Sequence, residues 1–109
     1  PLAIWCAREK ATLTVANEYT KDLASITKKA DVVISGVGKK GLIKGNMVKK
    51  GSLVIDAGTS VESGHSTGDV DFVSVAKKAG FLTPVPGGVG PLTVACLFRN
   101  LVFLSQSAP

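Results

Sequence analysis

The chain has 109 residues, enough for one small domain and too few for two. Hydrophobic residues make up 45% and charged residues 19%, an ordinary globular balance that excludes intrinsic disorder. The net charge of +5 puts nucleic acid among the partners to be weighed, while no run approaches the ~20 unbroken apolar residues that span a bilayer.

In chain order, residues 2–8 are apolar on most sides and read as the remainder of a buried helix. Thr12-Leu13-Thr14-Val15 is short and β-branched, a strand candidate. Thr20 is the expected N-cap of a helix through Leu23, Ile26 and Lys28-Lys29. Asp31-Val32-Val33-Ile34-Ser35, ended by Gly36, has the pattern of a strand buried on both faces. Residues 41–48 hold at most one helical turn, because Gly45 interrupts them. Ser52-Leu53-Val54-Ile55-Asp56 repeats the buried-strand pattern. Residues 58–68, rich in Ser, Thr and Gly, read as a loop carrying the single histidine, His65. Asp71 is placed to cap a helix over 72–79 that Gly80 ends. Phe81-Leu82-Thr83 is a short strand, and a Pro/Gly run at 84–91 leads into a long apolar helix over 92–105.

Strands alternating with helices predict an α/β fold with a parallel sheet, in which ligands bind at the carboxyl ends of the strands. Three of the four expected strand exits carry glycine: Gly36-Val37-Gly38, Ala57-Gly58-Thr59 and the run at 84–91. The fourth is Ala16-Asn17-Glu18-Tyr19. The chain opens on Pro1 without a basic-then-apolar leader, and reads as a piece of something longer. Cys6 and Cys96 both lie in apolar runs and are expected as buried, reduced thiols. The lysines come in pairs, two of which (Lys28-Lys29 and Lys77-Lys78) close expected helices, where cations offset the helix dipole. The single Trp and single Tyr lie far from every pair, so no stacking surface is interleaved with the charge. Solvated helix ends account for the basic balance, and neither nucleic acid nor membrane is expected as a partner.

Gly36-Val37-Gly38-Lys39-Lys40-Gly41 matches G-x-G-x-x-G, follows a strand, and has Asp56 twenty residues after its first glycine. Three readings stay open: a dinucleotide fingerprint, a glycine loop lining a ligand in another way, and a plain turn. The fingerprint needs a full helix after its third glycine, and residues 42–48 cannot make one. Gly87-Gly88-Val89-Gly90-Pro91-Leu92-Thr93 is no Walker loop, because no lysine stands before Thr93. Its glycines, framed by prolines, make a rigid backbone surface at a helix N-terminus suited to an anionic or amide-bearing ligand. His65 lacks the partners of a metal site. Asp69 and Asp71 read as a turn and a cap rather than paired carboxylates. No serine sits in a nucleophile elbow, so no catalytic residue and no metal ligand is expected in this chain.

Thr83-Pro84-Val85-Pro86-Gly87-Gly88-Val89-Gly90-Pro91-Leu92-Thr93 closely resembles the C-terminal signature of the bifunctional methylenetetrahydrofolate dehydrogenase/cyclohydrolase family. Thr20-Lys21-Asp22-Leu23, Ala30-Asp31-Val32-Val33-Ile34 with Gly36-Val37-Gly38-Lys39, Val54-Ile55-Asp56 with Gly58, and Gly68-Asp69-Val70-Asp71-Phe72 extend the resemblance in the right order over nearly the whole chain. It implies a Rossmann-type parallel sheet with flanking helices, binding NAD or NADP. It implies oxidation of 5,10-methylenetetrahydrofolate to the 5,10-methenyl form, then hydrolysis to 10-formyltetrahydrofolate, in the one-carbon metabolism that feeds purine biosynthesis. By position, Asn17, Glu18, Tyr19, Val37, Gly38, Gly58, Thr59 and Thr93 fall on the cofactor side. Pro86, Gly87, Gly88, Val89 and Gly90 fall on the folate side. A homodimer located in the cytoplasm, or in mitochondria of a eukaryote, is also implied.

The departures are specific. The family's first strand, central in the sheet, and the start of its glycine loop would precede Pro1, so residues 1–109 read as a partial nucleotide-binding domain whose strands flank a gap. The N-terminal folate domain, with the lysine and tyrosine of the family's catalytic pair, is likewise outside this sequence. Asn17, Glu18 and Tyr19 stand where the family often has His-Ser-Arg. A carboxylate there, without arginine, disfavours the 2′-phosphate of NADP and favours NAD. Thr59-Ser60 replaces the more usual Ile-Asn. These changes motivate a rival reading, a non-catalytic relative retained as a cofactor-binding or dimerisation module.

Overall fold

In the computed structural model, which describes residues 1–107, three parallel strands organise the chain. They are β1 (Val32–Ser35), β2 (Leu53–Asp56) and the short strand Phe81–Leu82. Between the last two comes an antiparallel hairpin, β3 (Ser60–Glu62) and β4 (His65–Thr67), so Phe81–Leu82 is β5. The sheet order is β1-β2-β5, with Val32 opposite Leu53, Ser35 opposite Asp56, and Leu53 opposite Phe81. The helices are α1 (Leu2–Arg8), α2 (Leu23–Thr27), α3 (Phe72–Ala76) and α4 (Val89–Ser107), with a 3-10 turn at Gly45–Met47. This is the expected α/β, Rossmann-type arrangement.

The core lies on one face of the sheet, where Val33 and Val54 meet Ile43, Val48, Val70 and Val75. β1 alternates, with Val33 and Ser35 buried but Val32 and Ile34 exposed at 50% and 42%. The expectation of two buried faces therefore fails. Among the described residues only one face is covered, by the 3-10 turn, α3 and Leu23 of α2, and the apolar residues on the other face have no layer against them. Gly45 does not interrupt the turn but opens it, its amide donating to Ser74 Oγ at 2.9 Å.

Several local expectations change for identifiable reasons. Residues 12–15 form no strand, and Leu13 and Val15 are exposed. They border a cleft of about 940 Å³ whose lining includes β1, and pair with no described strand. The cap of α2 is Asp22, whose Oδ1 accepts from Ser25 N at 3.2 Å, while Thr20 closes a separate turn by accepting from Asn17 N at 2.9 Å. Residues 58–68 contain a hairpin because Ser63 and Gly64, at φ 51° and 79°, supply the left-handed pair that a two-residue turn requires. Lys28 and Lys77 do stand at helix C-caps.

α1 and α4 bury none of their residues, so the expected buried helix at 2–8 is exposed. Cys96 is exposed and Cys6 only partly covered, contrary to the expectation of buried thiols. The radius of gyration, 15.6 Å against about 13 Å for a close-packed chain of this length, reflects these projecting helices. α4 is long and apolar enough on average to cross a bilayer (mean hydropathy 1.3), but Gly90, Pro91, Arg99 and Asn100 break its apolar surface.

Two buried carboxylates tie the strand ends together. Asp56, the last residue of β2, accepts from Gly58 N (3.0 Å) and Asp69 N (3.1 Å) through Oδ1, and from Val70 N (2.9 Å) through Oδ2. Asp69, wholly buried, accepts from Ser35 Oγ and Val37 N, both at 2.7 Å, and from Lys39 N at 2.8 Å. Asp71 stands at the N-cap position of α3 but makes no capping hydrogen bond to the helix backbone, its Oδ2 accepting from Ser74 Oγ at 2.7 Å instead. Asp69 is no simple turn residue, because it joins the loop after β1 to the chain leaving the hairpin. Gly58 must be glycine here, because a Cβ would stand 2.2 Å from the Asp69 carboxylate. Burial pushes the Asp69 carboxyl up, but Val37 N–H, the Ser35 hydroxyl and the amides of Lys39 and Gly38 outweigh it and hold the carboxyl below the usual aspartate range.

Replacing this carboxylate strands several buried donors at once. Asp69→Ala should cost about 2–4 kcal/mol in urea unfolding. Because its native pKa is lowered, the carboxylate's contribution is complete above the ordinary aspartate value of about 4. The stability gap between the wild type and Asp69→Asn should therefore be full at neutral pH and close as pH falls through the lower native value.

Candidate functional site

β2 and β5 run parallel, so the segments leaving their carboxyl ends emerge side by side, and Thr83 Oγ1 accepts from Asp56 N at 2.8 Å to fasten them. Between them lies a cleft of about 490 Å³. One wall is Gly58, Thr59 and Ser66, and the other is Pro86, Gly87, Gly88, Val89, Gly90 and Thr93. The second wall turns into α4 at Val89, with Gly87 at φ 97°. The first-turn amides of Val89 and Gly90 have no partner within the helix, Pro91 has no N–H to satisfy, and no acidic residue stands in this turn. The cleft thus offers unopposed positive backbone dipoles to an anionic or carbonyl-bearing ligand.

Its polar side chains are few. Thr93 Oγ1 donates to Val89 O at 3.0 Å, so the hydroxyl presents its lone pairs as acceptors. Asp56 also lines the cleft but is 3% exposed and occupied by three amides. No residue lining this cleft combines a nucleophile with a free base. The cleft can bind and orient a ligand, and its chemistry must come from a bound group.

The candidate cofactor residues divide. Gly58, Thr59 and Thr93 line the smaller cleft together with the five candidate folate residues. Asn17, Glu18 and Val37 line the larger one beside β1. Asn17 Oδ1 accepts from Tyr19 N at 3.0 Å, and Glu18 shares the lining with Lys29, Lys39 and Asp31, the last paired with Lys49. Tyr19 lines neither cleft and is 83% exposed. Gly38, at φ 75°, falls between the two: its neighbours Val37 and Lys39 face the larger cleft, while Ser60 Oγ donates to its carbonyl at 2.9 Å from the hairpin.

The glycine loop at 36–41 cannot act as a phosphate cradle. Cradles work through free amides, and here the amides of Val37 and Lys39 are spent on the Asp69 carboxylate, whose charge repels an anion. Only a 3-10 turn follows the loop, and Asp56 is held away from any ribose. The literal dinucleotide fingerprint is thereby excluded, and the loop serves as a wall. Lys40 pairs with Glu62 on the hairpin, and this hydrogen bond and charge hold the Glu62 carboxyl below its usual range.

From sequence, Asp69 reads only as a turn residue and Ser60 only as a departure from the family's pattern, while Ser66 carries no signal. The sequence signal was slight: Asp69 follows a glycine in a polar stretch, and its meaning depends on the loop after β1, some thirty residues away. His65 is exposed on β4, and the described residues contain no group of three or more His, Cys, Asp or Glu able to hold a metal.

Comparison with known proteins agrees with this geometry. The bifunctional protein FolD 2 of Lactobacillus johnsonii is 52% identical over 106 residues, covering 97% of this chain and 38% of that protein. Among solved structures, the FolD methylenetetrahydrofolate dehydrogenase/cyclohydrolase of Campylobacter jejuni superposes with a TM-score of 0.91 at 43% identity. That match covers 97% of this chain and 38% of the other. The Trypanosoma brucei FolD, solved with NADP cofactor and an inhibitor, superposes at 0.88 with 40% identity, over 97% of this chain and 39% of that one. The chain thus spans a little over a third of the length of these relatives. Residues 1–108 match the model of the tetrahydrofolate dehydrogenase/cyclohydrolase NAD(P)-binding domain, and the chain belongs to that family.

Proposed function

We propose that this chain is the nucleotide-binding part of an enzyme that oxidises 5,10-methylenetetrahydrofolate to the 5,10-methenyl form with NAD or NADP, with hydrolysis to 10-formyltetrahydrofolate following. The observation that carries the reading is the smaller cleft, which sets Gly58, Thr59 and Thr93 across from the Pro86–Gly90 wall. A nicotinamide carboxamide fits this cleft: its N–H meets an acceptor in the Thr93 hydroxyl. When bound, the nicotinamide accepts a hydride from the methylene carbon of the folate.

The chain's own part is positioning. Pro86, Gly87, Gly88, Val89 and Gly90 orient the folate, and the positive end of α4 favours its polar groups over water. Gly58, Thr59 and Thr93 orient the nicotinamide, and Val37 and Gly38 form the ridge over which the nucleotide continues. Asn17 and Glu18 border the cleft that takes the adenosine half, with Tyr19 at its outer margin. No proton transfer is assigned to these residues, because none lining the smaller cleft, where the hydride passes, is a free acid or base, so the 109-residue chain by itself should show no turnover. A homodimer in the cytoplasm, or in mitochondria of a eukaryote, completes the reading, with tetrahydrofolate as the substrate class and the N-terminal folate domain supplied outside these residues.

Glu18 sets the expected cofactor choice. A carboxylate hydrogen-bonds a ribose 2′-hydroxyl and repels a 2′-phosphate, so NAD is favoured over NADP. Titration of both nucleotides into the full-length protein should give the lower Kd for NAD. Equal or tighter NADP binding would show that Glu18 does not face the ribose. Glu18→Gln, which removes the charge but keeps the shape, should narrow the preference by up to about five-fold.

A further inference from the structure

Ser60 and Asp69 lie at the two feet of the β3–β4 hairpin, and both reach the same peptide unit of the loop after β1. Ser60 Oγ donates to the Gly38 carbonyl at 2.9 Å, and Lys39 N donates to Asp69 Oδ1 at 2.8 Å. That C=O and that N–H belong to one planar trans peptide and point in opposite directions. The Gly38–Lys39 peptide is therefore gripped from both sides by one hairpin.

Such a grip matters at glycine. Gly38 sits at φ 75°, and glycine occupies both signs of φ about equally, so its own backbone does not select this orientation. Asp69 is buried and bound by several donors, so its side of the grip is fixed by the fold. Ser60 is half-buried and its hydroxyl makes one bond to the loop, so its side of the grip rests on that bond alone. The Lys40–Glu62 pair is a second, exposed link, which solvent screening makes weak.

We propose that Ser60 is a positioning residue for the nicotinamide nucleotide, holding the Gly38–Lys39 peptide so that the Val37–Gly38 ridge stands at the right height between the two clefts. This rests on the nucleotide reading above. A dinucleotide occupying both clefts must cross this ridge, with Val37 on one side and Thr59 on the other. With the ridge free to flip, both halves are seated less often together, and nucleotide affinity falls while the folate wall at 86–90 is untouched.

The test uses the full-length protein and its Ser60→Ala and Ser60→Thr variants, with nucleotide Kd, the KM values for nucleotide and folate, and amide hydrogen exchange at Lys39 without nucleotide. Ser60→Ala should weaken nucleotide binding about five-fold, raise the nucleotide KM while leaving the folate KM in place, and speed Lys39 exchange about tenfold. Ser60→Thr, which restores the hydroxyl, should recover all three. Unchanged nucleotide Kd in a folded Ser60→Ala protein, or equal loss in Ser60→Thr, would overturn the proposal. If the wild type binds neither NAD nor NADP, the nucleotide reading itself fails. Lys39 exchange then still reports on the grip: exchange unaltered by Ser60→Ala would overturn the grip as well.

Discussion

A carboxylate taken out of water must find donors or lose its charge, and Asp69 finds them in the loop that follows β1. That one demand shapes the end of the sheet where ligands bind. It consumes the amides with which a glycine loop would hold phosphate, requires glycine at position 58, and roots the hairpin against the neighbouring strand's loop. Asp56 supports it from behind by accepting from the Asp69 amide. The two aspartates thus form a relay from the end of β2 to the loop after β1, and no side chain in that relay remains free for chemistry.

The site that results is made largely of backbone. Its walls are two glycine-bearing segments, a proline-framed turn and the first turn of a long helix, with Thr93 the best placed side chain for a specific hydrogen bond. Backbone suits the task inferred for it, because a surface that only orients two ligands needs close approach and rigidity more than reactive groups. The larger cleft beside β1 differs: one side is the exposed edge of the sheet, and charged side chains (Glu18, Lys29, Asp31 and Lys39) stand along it. The ridge at Val37 and Gly38 separates the two.

Much of this was legible in the sequence, and what was not has physical causes. The parallel strands are legible as dense β-branched runs, and glycine-bearing segments follow their carboxyl ends at one edge of the sheet. The segment at 84–93 carried the resemblance because its prolines and glycines are constrained at nearly every position. By contrast, residues 12–15 have strand composition, but a strand exists only with a neighbour, and no described strand lies beside them. The hairpin was hidden because its strands are short and polar, with Ser63-Gly64 as the sole turn signal. Asp69 was read locally as a turn residue, yet its role is set by groups about thirty residues earlier, which periodicity cannot reveal. The burial of α1 and of the thiols was inferred from apolar composition alone, which records what a surface could cover, not what stands against it.

The central claim is that the loop after β1 is a wall held by Asp69 and not a phosphate cradle. The most direct test is a crystal structure of the full-length protein with NAD or NADP bound. The account predicts a nicotinamide between Thr59 and Thr93, a dinucleotide passing over Val37 and Gly38, and the Val37 and Lys39 amides still bonded to Asp69. A pyrophosphate seated on the amides of residues 36–41, with Asp69 displaced, would contradict it.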